Sequence, residues 1–216
     1  MNLLTAVNKV LLKLRHQQVL SVSQSDYTKL VAQFANETRR EIEDTWNWLA
    51  LRTTIQVNTE EGAPQYILDG VGNSRFKVLE VINDTDNYYL ENMTSSELTK
   101  RFLMNEQVLQ APRYYGFNGF DSLNNPIVDV YPIPDKLYEI NFNLVLPQND
   151  LVGDAEEFKV PGHLIVLGTY VKALVERGED ASSGYQVALA QYQDAVAANI
   201  SQESAVSPGE EDWYAV

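Results

Sequence analysis

The sequence predicts an α+β fold: an antiparallel helical bundle built from both ends of the chain, with an inserted antiparallel β lobe and an extended C-terminal tail. Three observations predict it. Asn2 to Arg15, Asp26 to Trp48, Pro161 to Arg177 and Ser183 to Gln202 carry apolar residues at helical spacing. The stretch between them changes to short alternating runs punctuated by turn dipeptides. After Gln202 the periodicity stops. Terminal helices with one apolar stripe each bury those stripes by packing together, so the ends are expected to meet. The expected division is 1-50 and 158-202 for the bundle, 51-157 for the lobe with one short helix, and 203-216 for the tail.

In the first helix Leu3, Leu4, Val7, Val10, Leu11 and Leu14 recur at three- and four-residue steps. Ser23 followed by Asp26 reads as an N-cap with an acidic first turn. The second helix then has a stripe of Tyr27, Leu30, Val31, Phe34, Thr38, Ile42, Trp46 and Leu49, opposite a charged face of Glu37, Arg39, Arg40, Glu41 and Glu43. From Leu51 the strand candidates are Thr53 to Val57, Gln65 to Leu68, Phe76 to Ile82, Tyr88 to Glu91, Arg113 to Phe117, Ile127 to Tyr131 and Tyr138 to Leu146. Asp69-Gly70, Asn83-Asp84, Asn118-Gly119 and Asn124-Asn125-Pro126 read as turns, which points to a small antiparallel sheet or open barrel. Thr94-Ser95-Ser96-Glu97 is a capping box for the short helix. An acidic linker, Asp150 to Glu157, leads to Pro161 at a first helical position. Leu164, Leu167, Tyr170, Val171, Leu174 and Val175 form the next stripe, which Gly178 ends. The last helix, capped by Ser182 or Ser183, presents Tyr185, Ala188, Leu189, Tyr192, Val196 and Ile200.

Composition narrows the function. The chain has no cysteine, which excludes disulfide scaffolds, thiol catalysis and thiolate metal sites and fits a reducing cytoplasm. No membrane-length apolar run or leader pattern is read, so a soluble, unprocessed protein is expected. With 30 acids against 16 bases the net charge is -14, which opposes sequence-independent binding to nucleic acid. Residues 149 to 216 hold 12 acids and 3 bases, concentrating the excess near the C-terminal helices.

Chemistry-bearing patterns are sparse. His16 and His163 are far apart and read as a helix C-terminal cation and a first-turn surface residue. No nucleophile elbow, phosphate loop or dinucleotide fingerprint occurs, and neither a cofactor nor a metal is expected. Asp84 with Asp86 and Glu156 with Glu157 are the nearest paired carboxylates, read as solvated turn residues. Tyr114 to Phe120 is aromatic enough to stack on sugars or bases, and reads more simply as a sheet face with a hairpin. Gly70, Gly72, Gly116 and Gly119 read as turn glycines.

Trp46-Asn47-Trp48-Leu49-Ala50-Leu51-Arg52 running into a Thr-rich strand, then Pro112-Arg113-Tyr114-Tyr115-Gly116, then Val130-Tyr131-Pro132-Ile133-Pro134-Asp135, form an ordered series. Val160-Pro161, Leu167-Gly168-Thr169-Tyr170 and Arg177-Gly178-Glu179-Asp180 follow, before a final helix with Tyr185 and Tyr192. In this order they resemble the head-to-tail adaptor proteins of short-tailed bacteriophages, over roughly Leu3 to Ile200. The resemblance implies a non-enzymatic virion protein at the head-tail junction, assembled in the host cytoplasm. It implies a dodecameric ring docked on the portal protein, which extends the channel and carries the tail nozzle and fibres. Double-stranded DNA then passes without specific binding, and no membrane is involved. By position, the extension that reaches the portal falls on Glu203 to Val216, with Glu210, Glu211, Asp212, Trp213, Tyr214 and Val216 as its portal-binding residues. On this reading the acids of residues 149 to 212 line the channel, repelling phosphates within about 8 Å, or complement a basic portal face. A carbohydrate-binding or glycan-cleaving tail module is the alternative, and a small-molecule enzyme the third reading.

Overall fold

A computed structural model describes residues 1–72, 75–104 and 108–206. Among the described residues the protein is α+β, with five α-helices and two four-stranded sheets. The chain divides into two compact units: Met1–Leu51 with Gln148 onward, and Arg52–Pro147.

The first unit contains α1 (Leu3–Lys13), α2 (Asp26–Thr45), α4 (Gly162–Glu176) and α5 (Ser183–Val206). Helix α4 is central, packing on α1, α2 and α5. It has to be apolar nearly all round, and Leu164, Ile165, Val166, Val171, Ala173 and Leu174 are all buried. Asn2 caps α1, its side chain accepting from the Thr5 amide at 2.9 Å. The N-cap of α2 is Ser25, not Ser23: Ser25 and Thr28 cap one another reciprocally, and Ser23 lies outside in the preceding loop. Helix α2 ends at Thr45, short of Trp48. Trp48 turns inward, fully buried, and donates its indole N–H to the Ile42 carbonyl at 2.7 Å, satisfying one of the helix's terminal acceptors. Pro161 is the N-cap of α4 and not its first helical residue, while Gly178, at φ 71°, ends that helix in the left-handed conformation.

The second unit holds β1 (Arg52–Asn58), β2 (Gln65–Ile67), β3 (Lys77–Asn83), β4 (Tyr88–Tyr89), β5 (Glu91–Asn92), α3 (Ser95–Met104), β6 (Tyr114–Phe120), β7 (Pro126–Tyr131) and β8 (Glu139–Val145). One sheet has the order β1-β8-β3-β4, the other β2-β7-β6-β5. Inward residues of both, including Val81, Ile140, Phe142 and Leu144 with Tyr115, Val128 and Val130, form one apolar cluster.

Four expectations change here. Tyr88 to Glu91 is not one strand: buried Leu90 separates β4 in the first sheet from β5 in the second. The β5–β6 pair is parallel, because the short helix α3 follows β5 and lets the chain return in the same direction. Asn118-Gly119 is not the hairpin turn; the register shifts there, Gly119 taking φ 116°, and Asp121 makes the turn by accepting from the amides of Leu123 and Asn125, both at 2.8 Å. Gly116 lies within β6, where α3 and Met93 approach its backbone.

Candidate interaction surface

The acidic stretch after the sheets is not a loose linker, and it belongs with the helical unit. The amides of Leu3 and Leu4, orphan donors at the start of α1, bond to the carbonyls of Glu156 (2.9 Å) and Asp154 (3.2 Å). The Asn36 side chain of α2 both donates to and accepts from the Leu151 backbone, at 2.9 Å each way. Arg39 donates to the carbonyls of Gln148 (2.7 Å) and Asn149 and to the Asp150 carboxylate (2.8 Å). Arg40 donates to both oxygens of the same carboxylate. Residues 148 to 157 therefore form a strap across α1 and α2.

Arg39 and Glu43 correct the sequence reading directly. Both were placed on the charged outer face of α2; both are buried, with side chains 1% and 0% exposed. The inward face of α2 is rotated to Val31, Ala35, Thr38, Arg39, Ile42 and Glu43. The Glu43 carboxylate accepts from the Gln148 amide at 3.1 Å, and Arg39 Nε lies 3.8 Å from it. Backbone carbonyls and an amide of the strap offset part of the cost of burying the pair. An Arg and a Glu four residues apart and adjoining the apolar stripe were the available signal.

The loop between α1 and α2 is held in the same way. Asn8 both accepts from and donates to the Val19 backbone (2.8 and 2.9 Å), and the Val22 amide donates to Asp154 (2.9 Å). Between this loop, α2 and the strap lies a groove of about 510 Å³, whose apolar walls are Leu3, Val22, Ala32, Leu151 and Val152. Val152 is 80% exposed. Lys29 and Arg40 stand along it, with Glu37 and Asp150.

A second unusual surface is the outer side of α5. Only Ala188 of this helix is fully buried, and Val187 and Val206 stand exposed. Asp194 and Glu203 are its only charged residues. Burial, followed by the nearby Glu41 carboxylate, pushes Tyr192 on its inner side up to about 12.

The sequence-derived candidates fall as follows. Glu210, Glu211, Asp212, Trp213, Tyr214 and Val216 lie outside the described residues. Glu203 to Val206 are helical and not part of an extended tail; Glu203 ties the end of α5 to the Leu49 amide at 2.9 Å, and the next helix-breaking residue is Pro208. Asp84 and Asp86 are exposed in the β3–β4 turn. Glu156 accepts from the amides of Val152 and Gly153 within the strap (2.6 and 3.1 Å). His16 packs against Tyr27, ring centroids 5.3 Å apart, and His163 lies 2.9 Å from the Asn199 amide nitrogen. Tyr115 and Phe117 pack edge-on in the sheet core rather than lining a cleft. Among the described residues no group of three or more His, Cys, Asp or Glu side chains is placed to hold a metal ion, and no helix is long and apolar enough to cross a membrane.

The SU10 adaptor protein family matches residues 1–211, and the chain belongs to that family. It is thus a bacteriophage structural adaptor, a virion protein whose work is contact with other virion proteins. No curated protein matches the chain.

Proposed function

We propose that this adaptor occupies the head-to-tail junction of a short-tailed phage, as a dodecameric ring docked on the portal protein. The ring extends the DNA channel and is the platform for the tail nozzle and fibres. In this reading the terminal helices act as one bundle and the β unit as its insert. A closed ring needs two unlike faces on each subunit. The supporting observation is the outer side of α5, a 24-residue helix with one buried residue and almost no charge, unlike the grooved α2 side of the same unit. Such a helix face is stable in water but gains by covering.

Part of the acidic excess of residues 149 to 212 has another use. Asp150, Asp154, Glu156, Glu179 and Glu203 are engaged within the helical unit. The acids left over would supply the channel or portal complement. Trp213, Tyr214 and Val216, behind Glu210, Glu211 and Asp212, would anchor the portal, each large side chain contributing about 1.5–3 kcal/mol on burial and multiplied around the ring.

The test is electron microscopy of portal rings mixed with the chain. The full chain decorates them as a twelve-fold layer. A chain lacking Glu210 to Val216 keeps its helical circular dichroism and leaves the rings bare. Normal decoration by the shortened chain would remove the portal-anchor assignment.

A further inference from the structure

We infer that the outer edge of β1 is the docking site for an extended segment of another virion protein, which joins the sheet as a further strand with an acidic residue against Arg52. The inference rests on the β unit and on the family of the chain, and is independent of the ring and portal reading.

The first ground is a contrast among the sheet edges, which are β1 and β4 in one sheet and β2 and β5 in the other. A bare edge invites pairing with another chain, and proteins blunt it with short strands, lysine, proline or bulges. β2 has three residues, and β4 and β5 have two each. β1 has seven, Arg52 to Asn58, rich in β-branched residues and free of proline and lysine. Its register with β8 runs unbroken, whereas the β3–β8 and β6–β7 registers both shift. Among the described strands, the one long edge is thus also flat and unguarded.

The second ground is the phase of the ladder, which says which backbone groups are bare. The Thr59 amide donates to the Tyr138 carbonyl at 2.9 Å, and on the other side of β8 the Asp84 amide donates to the Glu139 carbonyl at 2.8 Å. Antiparallel bonding alternates along a strand, so Thr53, Ile55 and Val57 turn their N–H and C=O toward β8. Arg52, Thr54, Gln56 and Asn58 turn theirs outward, and all four are exposed. The side chains of Thr54 and Gln56 do not cover them. Thr54 Oγ1 donates to Asn143 Oδ1 on β8 at 2.6 Å, and Gln56 Nε2 to Asn58 Oδ1 within the strand at 3.3 Å. An incoming strand finds a complete row of donors and acceptors.

Side-chain chemistry selects the occupant. Ile55 is half-buried against the sheet core, so alternate positions of an added strand lie beside apolar surface. Arg52 is exposed and has no hydrogen bond or ion pair among the described residues. A second copy of β1 is the poorer partner: it contains no acid, and antiparallel pairing centred on Ile55 sets each Arg52 against Asn58. A segment with apolar residues at alternate positions and an acid opposite Arg52 matches both rows.

The probe is the capped heptapeptide Thr-Val-Thr-Val-Thr-Val-Glu, whose antiparallel register puts its glutamate opposite Arg52; the same peptide ending in lysine is the control. Amide hydrogen exchange of the full chain, followed residue by residue by NMR, gives the readout. Without peptide, Thr54 and Gln56 exchange fast and Ile55 and Val57 slowly. With the glutamate peptide in excess, exchange at Thr54 and Gln56 slows at least about tenfold, and the lysine peptide slows it less. Arg52→Glu reverses that preference. Gln56→Pro removes an outward N–H and no ladder bond, so it keeps a thermal midpoint close to that of Gln56→Ala and abolishes the protection of Thr54. Equal slowing by the two peptides, no slowing by either, or slowing that survives Gln56→Pro would overturn the inference. Unfolding by Gln56→Pro would do the same, because the Gln56 N–H would then belong to the β8 ladder. So would protection of Thr54 and Gln56 without peptide that disappears on dilution, which would put a second copy on the edge.

Discussion

The two units are held together by different chemistry. The β unit is closed by backbone ladders and one apolar cluster; its buried polar side chains Thr59, Asn83 and Asn125 are neutral, and Asp129 is met by Gln65 at 2.9 Å. The helical unit adds to its apolar seam a buried Arg39–Glu43 pair that reaches across more than a hundred residues of sequence to the strap. Sheets satisfy their own backbone, whereas a strap with no ladder must borrow donors and acceptors from side chains. The irregular segment is therefore the one that needs charged anchors.

Arg39→Ala is the sharpest way to break this contrast. Removing one member of a buried ion pair leaves the Glu43 carboxylate buried without its counter-charge and the strap carbonyls without their donor, and about 3–5 kcal/mol of stability should be lost. Arg40→Ala, at a half-exposed site on the same carboxylate, should cost about 0–1 kcal/mol. Urea denaturation gives both numbers. Limited proteolysis adds the location, since the Arg39 variant should become cleavable between Gln148 and Glu157 while the β unit stays intact. Equal losses for the two variants would mean the strap is held by its other contacts.

A pair of glycines extends the comparison at smaller magnitude. A Cβ at Gly116 in β6 would press on the Met93 carbonyl oxygen and come within 2.5 Å of Leu98 Cδ1. One at Gly168 in α4 would come within 2.5 Å of Thr38 Cγ2 and 2.9 Å of the Tyr192 ring. Overpacking costs about 1–3 kcal/mol, and Gly116→Ala should sit at the upper end because its obstacle includes backbone fixed by the Met93 N–H to Tyr115 carbonyl bond. Side chains facing Gly168 can turn aside. Thermal denaturation of the two alanine variants checks the order.

These two sites also show what the sequence made legible. The helical spans of α1, α2, α4 and α5 and the capping box of α3 stand close to the expected positions, with the inward face of α2 rotated to take in Arg39 and Glu43, and the structure adds bonds such as Thr94 Oγ1 to Glu97 at 2.9 Å. Such features are local: a cap or a stripe is decided within a few residues. Gly116 was not legible, because its need for a bare backbone comes from Met93 and Leu98, which reach it only in the folded unit. Nor was the strap, because counting charge treats Arg39, Glu43 and Asp150 as solvated. Only the tertiary partner shows that a carbonyl lies where water was assumed.

The smallest effect separates the units by pH. Burial, and then the hydrogen bond donated to Asp135 at 2.5 Å, pushes the Tyr138 hydroxyl far above its ordinary value of 10.0, and burial also raises Tyr66 and Tyr88 in the same unit. In the helical unit Tyr192 is raised to about 12 and Tyr27 is raised as well, in both cases by burial first. A raised tyrosine keeps its proton in the folded chain after the unfolded chain has lost it. Stability is therefore unaffected below about pH 9 and falls as pH rises above 10 toward the folded values. Since Tyr138 is displaced further than Tyr192, Tyr138→Phe should flatten the alkaline fall more than Tyr192→Phe, whatever each does to stability at neutral pH. Denaturation midpoints measured from pH 8 to 12 give the slopes. A flatter limb in Tyr192→Phe than in Tyr138→Phe would place the alkaline weakness in the helices and not in the sheets.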